Sequence, residues 1–309
     1  MSRRARVAVL AATYLLALTA CVEDTPNASP TPTESATPSA SPTPVAVNPL
    51  EGAFADDFDG KALDPAWTWL HDAEGWPDAM QEVVVRDGSL ELIPWTTAWY
   101  ADFHGPYLFR EVTGDFVATA RVQSRGLKGP VPEKTYSCTG LMARQPRDTT
   151  PATWEPGGEN YVFLTSGVGN DRGVPNLETK TTVDSTSTLT LTPIAEGWTD
   201  LAIVRGGTAF VMLYREPGGD WEISDVFERT DLPATLQLGV NVYTDWEDMS
   251  DLHTDPVSYH EQVVGREPDL HAYVDRVAAE PLPRGLDVSG WYVSAREDLL
   301  NQLLPLLPS

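Results

Sequence analysis

The chain holds only two cysteines, Cys21 and Cys138, in 309 residues, and it is poor in positive charge, with 21 Lys and Arg against 45 Asp and Glu. Two cysteines close at most one disulfide, which excludes a small disulfide-stapled scaffold. A formal net charge of −24, against which the only basic cluster is Arg3, Arg4 and Arg6 at the start, repels phosphate backbones and excludes nucleic acid as a partner. The five histidines (His71, His104, His253, His260 and His271) are scattered, none with a second histidine at metal-ligand spacing. There is no Gly-x-Ser-x-Gly elbow, no His-Glu-x-x-His and no phosphate-binding loop. The apolar run at 7–18 is too short to span a bilayer comfortably.

That run follows Arg3, Arg4 and Arg6, the layout of an export signal over residues 1–20. It ends in Leu18-Thr19-Ala20-Cys21, which resembles the bacterial lipobox. The resemblance implies cleavage before Cys21, lipidation of its thiol, and attachment to the outer face of a bacterial cell membrane. An ordinary secretory signal with an incidental cysteine is the alternative. Cleavage would leave 18 − 45 = −27 on the mature chain. Residues 21–49, rich in Pro, Ser and Thr, bury too little apolar surface to fold and read as a disordered linker that holds the cargo off the membrane. Cys138, inside Ser137-Cys138-Thr139-Gly140-Leu141-Met142, reads as a small buried residue.

From residue 50 the pattern is one of short β-rich runs punctuated by Gly, Pro, Asp and Asn. In 116–123, Phe116, Ala118, Ala120 and Val122 share one face. In 236–243 the Leu and Val positions alternate with Gln237, Asn241 and Tyr243. Further runs fall at 89–93, 107–112, 138–144, 160–165, 177–183, 187–192, 199–205, 208–214, 221–227 and 270–278. Gly206-Gly207 and Gly218-Gly219 mark turns. The expectation is an all-β, two-sheet sandwich over 50–280. In the extension at 281–309, Leu299, Leu300, Leu303 and Leu304 suggest a short amphipathic helix that covers the sandwich or meets a membrane or partner.

Several stretches together resemble the concanavalin A-like lectin/glucanase superfamily. They are Ala55-Asp56-Asp57-Phe58-Asp59-Gly60 with Leu63-Asp64-Pro65 and Trp67, then residues 105–116 (GPYLFREVTGDF), 139–144 (TGLMAR) and 273–277 (YVDRV). The resemblance spans roughly 53–280 and implies a jelly-roll sandwich with a concave ligand-binding sheet. It also implies structural Ca²⁺ where the first and last strands meet, with Asp57 and Asp275 as the acidic pair. The Glu-x-Asp-x-Glu strand of the superfamily's glucanases is missing. In its nearest counterpart, Glu222, Asp225 and Glu228, a spacing of three sends Asp225 to the opposite face. Catalytic carboxylates would have to come from separate strands, with Glu159, Asp245 and Glu247 as weak candidates.

Sugar sites pair flat rings with planar polar groups. Trp95, Trp99, Tyr100 and Trp246 lie among loop-forming residues, and a concave sheet would add Arg121, Gln123, Gln237, Asn241 and Tyr243, joined by Arg144 and Asn160. The residues thus suggest a surface lipoprotein that binds a glycan without catalysis. A glycoside hydrolase or polysaccharide lyase, and a structural or protein-interaction lipoprotein, stay open as alternatives.

Overall fold

The computed structural model describes residues 49–247 and 268–309; the signal segment, the linker to residue 48 and Cys21 lie outside them. Fifteen strands are described: β1 Phe54–Asp56, β2 Thr68–Trp69, β3 Met80–Arg86, β4 Ser89–Pro94, β5 Tyr107–Thr113, β6 Phe116–Arg125, β7 Ser137–Arg144, β8 Tyr161–Val168, β9 Pro175–Val183, β10 Thr186–Pro193, β11 Thr199–Gly206, β12 Ala209–Arg215, β13 Glu222–Glu228, β14 Thr235–Tyr243 and β15 His271–Pro281. They form two antiparallel sheets. One has eight strands, ordered β13-β12-β11-β6-β15-β4-β3 with β1 added alongside β15. The other has seven, ordered β10-β9-β8-β7-β14-β5-β2.

Strict alternation packs these sheets face to face. Phe116, Ala118, Ala120 and Val122 of β6 and Leu236, Leu238, Val240 and Val242 of β14 enter one shared core with Leu90, Leu92, Leu141, Leu164, Leu201 and Ile203. Burying each such Leu, Ile, Val or Phe stabilises the sandwich by about 1.5–3 kcal/mol. Trp67 joins this core, and Trp69 packs at its margin. The β3–β4 hairpin turns at Asp87-Gly88, whose φ values of 54° and 76° suit the mirror-image turn that matches strand twist.

A second apolar cluster covers part of the outer face of the eight-stranded sheet. After β15 the chain forms a 3-10 turn at Val288–Val293, then helix α2 at Arg296–Leu303 and a further turn at Leu304–Leu306. Trp291, Leu299 and Leu303 pack there on Val117, Ala202, Val204, Val211, Leu213 and Trp221. The indole N–H of Trp221 donates to the Pro308 carbonyl at 3.0 Å, fastening the chain end. The four-leucine stripe expected from the sequence is therefore split. Leu299 and Leu303 are fully buried, but Leu304 is 40% exposed, because the helix ends at Leu303 and Pro305 turns the chain away. No helix among the described residues is long and apolar enough to cross a membrane.

If the extension is a structural cover, Leu303→Ala lowers stability by about 2–5 kcal/mol in denaturant titration, whereas Leu304→Ala changes it by less than about 1 kcal/mol. Equal effects would contradict the packing described.

Candidate functional site

The outer face of the seven-stranded sheet carries Tyr107 and Phe109 from β5, and Gln237, Asn241 and Tyr243 from β14. It also carries Cys138, Met142 and Arg144 from β7, Tyr161, Phe163 and Thr165 from β8, and Glu178 and Lys180 from β9; the strand registers align them. Most of this face is shut off from water. Trp99 and Leu70 pack on Tyr107, Phe109, Met142, Tyr161 and Phe163 to form a third apolar cluster. The Trp99 ring meets Tyr107 and Tyr161 edge-on, with centroids 5.9 and 5.6 Å apart.

Two chain segments provide this cover: helix α1 (Leu70–Glu74) with the residues after it, and the strap 95–106. Thr97 exchanges backbone hydrogen bonds with Thr244. The Ala101 N–H donates to Ser187 Oγ at 2.9 Å, and Lys180 Nζ donates to the Trp99 carbonyl at 2.7 Å. At Gly105 an added Cβ would lie 2.9 Å from the Trp99 ring and 2.7 Å from the Val242 carbonyl, so only glycine lets the strap lie this close.

An ionic cluster latches the same segments to the sheet. Arg144, fully buried, donates to both carboxylate oxygens of Glu159 at 2.8 Å, to Glu74 at 2.8 Å and to Gln237 at 2.7 Å. Glu159 also accepts from Arg147 at 2.7 Å and lies 2.9 Å from His104 Nε2. The Trp76 indole N–H donates to Glu74 at 2.9 Å. Burial opposes the charge of Arg144, but Glu159 and then Glu74 outweigh it and raise its pKa. Burial likewise opposes ionisation of Glu159, yet Arg144 and His104 hold its carboxyl well below the usual range.

Beside the strap, part of the sheet face remains open as a cavity of about 430 Å³ lined by Ala98, Trp99, Tyr100, Tyr136, Lys180, Leu189, Tyr243 and Trp246. Five of these eight side chains are aromatic. Tyr100, 40% exposed, stands 5.4 Å from Trp246, centroid to centroid. Beneath them is a polar floor. Lys180 pairs with Glu178 at 2.7 Å, the Tyr243 hydroxyl donates to Glu178 at 2.9 Å, and Thr165 Oγ1 lies 2.9 Å from that hydroxyl. Burial pushes both the Tyr243 hydroxyl and the Cys138 thiol up, so neither is an anionic nucleophile at neutral pH.

The residues expected from sequence to form a sugar site are thus divided. Trp99, Tyr100, Tyr243 and Trp246 come together at the cavity. Trp95 is half-buried outside its lining, with its backbone N–H on the Ala79 carbonyl. Arg121 and Gln123 require correction: β6 belongs to the eight-stranded sheet, and Arg121 lies near Asp275 and the Trp198 ring there. Arg144 and Gln237 face the expected side but are sealed inside the ionic cluster. Asn160 binds the Asp184 backbone at the β9–β10 turn. Asn241 is fully buried beneath the cover, its amide making no hydrogen bond to the described residues.

The weak catalytic candidates do not converge either. Glu159 is held by Arg144 and Arg147, Asp245 by Lys134, and Glu247 by Arg172 at the exposed surface. Glu178 and Lys180 went unread, although Asn176, Glu178, Lys180 and Thr182 alternate along β9 as a polar face. For Ca²⁺, β1 does pair with β15, the place where the first and last strands meet. Asp57 is exposed, Asp275 lies 3.7 Å from Arg121, and the described residues hold no group of three or more His, Cys, Asp or Glu able to bind a metal.

No family profile and no curated protein matches this chain. Among solved structures it is similar to the GH43 protein BlXynB from Bacillus licheniformis, at 13% identity and a TM-score of 0.49 over 73% of this chain and 38% of that one. It thus spans about two-fifths of that protein's length. It is also similar to LamAcat from Zobellia galactanivorans (12% identity, TM-score 0.42, 74% and 96% of the two chains). A third is Rv0315 of Mycobacterium tuberculosis, described as an immunostimulatory antigen and pseudo β-1,3-glucanase (14%, 0.45, 74% and 98%). Similarities this distant do not bear on the ligand.

A depressed carboxyl pKa stabilises the fold above the unfolded-state value and loses that contribution as pH falls through the folded one. Wild-type stability therefore declines below about pH 4.3, where Glu159 of the unfolded chain takes up a proton while the folded carboxyl stays ionised, until the folded carboxyl is protonated as well. Glu159→Gln costs about 3–5 kcal/mol at pH 7 and flattens this acid limb in urea titrations between pH 2 and 7. An unchanged limb would contradict the latch.

Proposed function

We propose that the chain is an exported protein, anchored through lipid on Cys21, whose concanavalin A-like sandwich binds a carbohydrate in the aromatic cavity beside the strap without cleaving it. The observation that carries this reading is the cavity lining: Tyr100, Tyr136 and Trp246, each at least partly accessible, stand beside a buried wall and floor of Trp99, Tyr243 and Lys180. Aromatic rings suit the apolar C–H faces of a pyranose. The volume of about 430 Å³ falls within the range of small-molecule sites.

Binding without cleavage is supported by the state of the acids. Glycoside hydrolysis needs two carboxyl groups about 5–10 Å apart, one of them able to donate a proton. Glu159, Asp245 and Glu247 each neutralise a cation, and Glu178 is held between Lys180 and Tyr243. The Arg-rich, apolar start and the Leu18-Thr19-Ala20-Cys21 sequence support export and anchoring.

The test is calorimetric titration of the detergent-solubilised full chain with a glycan panel, paired with a reducing-sugar assay. Binding without release is expected, and release of reducing ends would favour a hydrolase instead. Tyr100→Ala and Trp246→Ala are each expected to weaken binding about tenfold or more, as for loss of about 1.4 kcal/mol; unchanged affinity would place the ligand elsewhere. Expressed in a bacterium, Cys21→Ser is expected to move the protein from the membrane fraction to the soluble one, and retention in the membrane would contradict the anchor.

A further inference from the structure

We infer that the cavity receives the end of a neutral glycan chain and cannot take its interior; this rests on the carbohydrate reading above. A seven-stranded sheet is about 30 Å across, enough for an oligosaccharide to run over an open face. Here that path is blocked. Tyr107, Phe109, Met142, Arg144, Tyr161 and Phe163 are each at most 3% exposed beneath the strap and helix α1. Trp99 belongs both to this sealed cluster and to the cavity wall, so the ring that closes the cavity on one side is wedged against Tyr107 and Tyr161 on the other. The anchors around it, Lys180 on its carbonyl, the Thr97–Thr244 pair and the close approach at Gly105, make that wall a fixed stop. Among the described residues Tyr136, Leu189 and Trp246 line the rest of the cavity, whose volume of about 430 Å³ leaves room for about one or two sugar rings.

The charge of the ligand follows from the same lining. Among the described residues of the lining Lys180 is the sole cation, and its ammonium is already paired with Glu178 at 2.7 Å and bonded to the Trp99 carbonyl. An acidic sugar would find no uncompensated positive charge there, on a chain of net charge −24. A neutral sugar needs none, since the rings supply the contact area.

The experiment titrates the detergent-solubilised full chain with ladders of two to six units of β-1,3-gluco-, β-1,4-gluco-, β-1,4-xylo- and α-1,4-gluco-oligosaccharides. The same sugars carrying a bulky block at either end, and oligogalacturonates as the acidic series, complete the set. Within the ladder that binds, affinity should change less than about twofold from dimer to hexamer, a block at one end should weaken it at least tenfold, and the acidic series should bind at least tenfold more weakly. Affinity that climbs tenfold or more with length, tolerance of blocks at both ends, or preference for the acidic series would overturn the inference while leaving carbohydrate binding intact. No binding to any ladder would overturn the carbohydrate reading and this inference with it. Leu189→Trp, which fills the cavity from a half-buried wall position, should abolish binding at every length with an unchanged Tm. Undiminished binding by that variant would likewise overturn it.

Discussion

A guanidinium without contact to water is tolerable only if carboxylates and acceptors surround it, and Arg144 meets that condition by drawing three separated parts of the chain together. Glu74 comes from helix α1, Glu159 from the loop before β8 and Gln237 from β14. Glu159 in turn engages Arg147 and His104, so the strap is tied into the same cluster. Each partner is needed to compensate another's burial, which makes the cover on the seven-stranded sheet a consequence of satisfying one charge. The arrangement is dense in charge yet closed to ligands.

The open part of that face has a different character. Its polar floor of Lys180, Glu178, Tyr243 and Thr165 is internally paired, and its walls are rings. The same strap serves both halves, since its buried side carries His104 toward Glu159 and its Tyr100 borders the cavity. The ionic latch thereby fixes the shape of the cavity without touching whatever enters it. On the opposite sheet the C-terminal extension covers part of the outer face mainly by apolar packing, with Leu299, Leu303 and Trp291, fastened at its edges by Arg296 on Asp225 and Trp221 on the Pro308 carbonyl. Each sheet is capped, by different physics.

The sandwich was readable because alternation along β6 and β14 reports burial of one face directly. The site was readable only in its aromatic half. Alternation tells which residues share a face but neither which sheet a strand joins nor whether that face is covered. Arg121 therefore looked equivalent to Gln237, although their strands lie in different sheets. Arg144 and Asn241 looked available to a ligand because nothing local announces that residues 70–76 and 95–106 fold back over them. Strand β3, at the sheet edge and irregular between Met80 and Glu82, lacked clean periodicity, and its Asp87-Gly88 turn was the signal available. Glu178 and Lys180 sat within an expected strand, where a Glu–Lys pair reads as solvent-facing until its burial is known.

One buried ionic cluster holds the strap and so shapes the cavity. Amide hydrogen exchange of Arg144→Met, compared with the wild type, tests it most directly. The account predicts that protection at Thr97 and Ala101, whose N–H groups bond to Thr244 and Ser187, falls by at least tenfold, while amides of β6 and β11 in the far sheet keep theirs. Unchanged protection in the strap would contradict it.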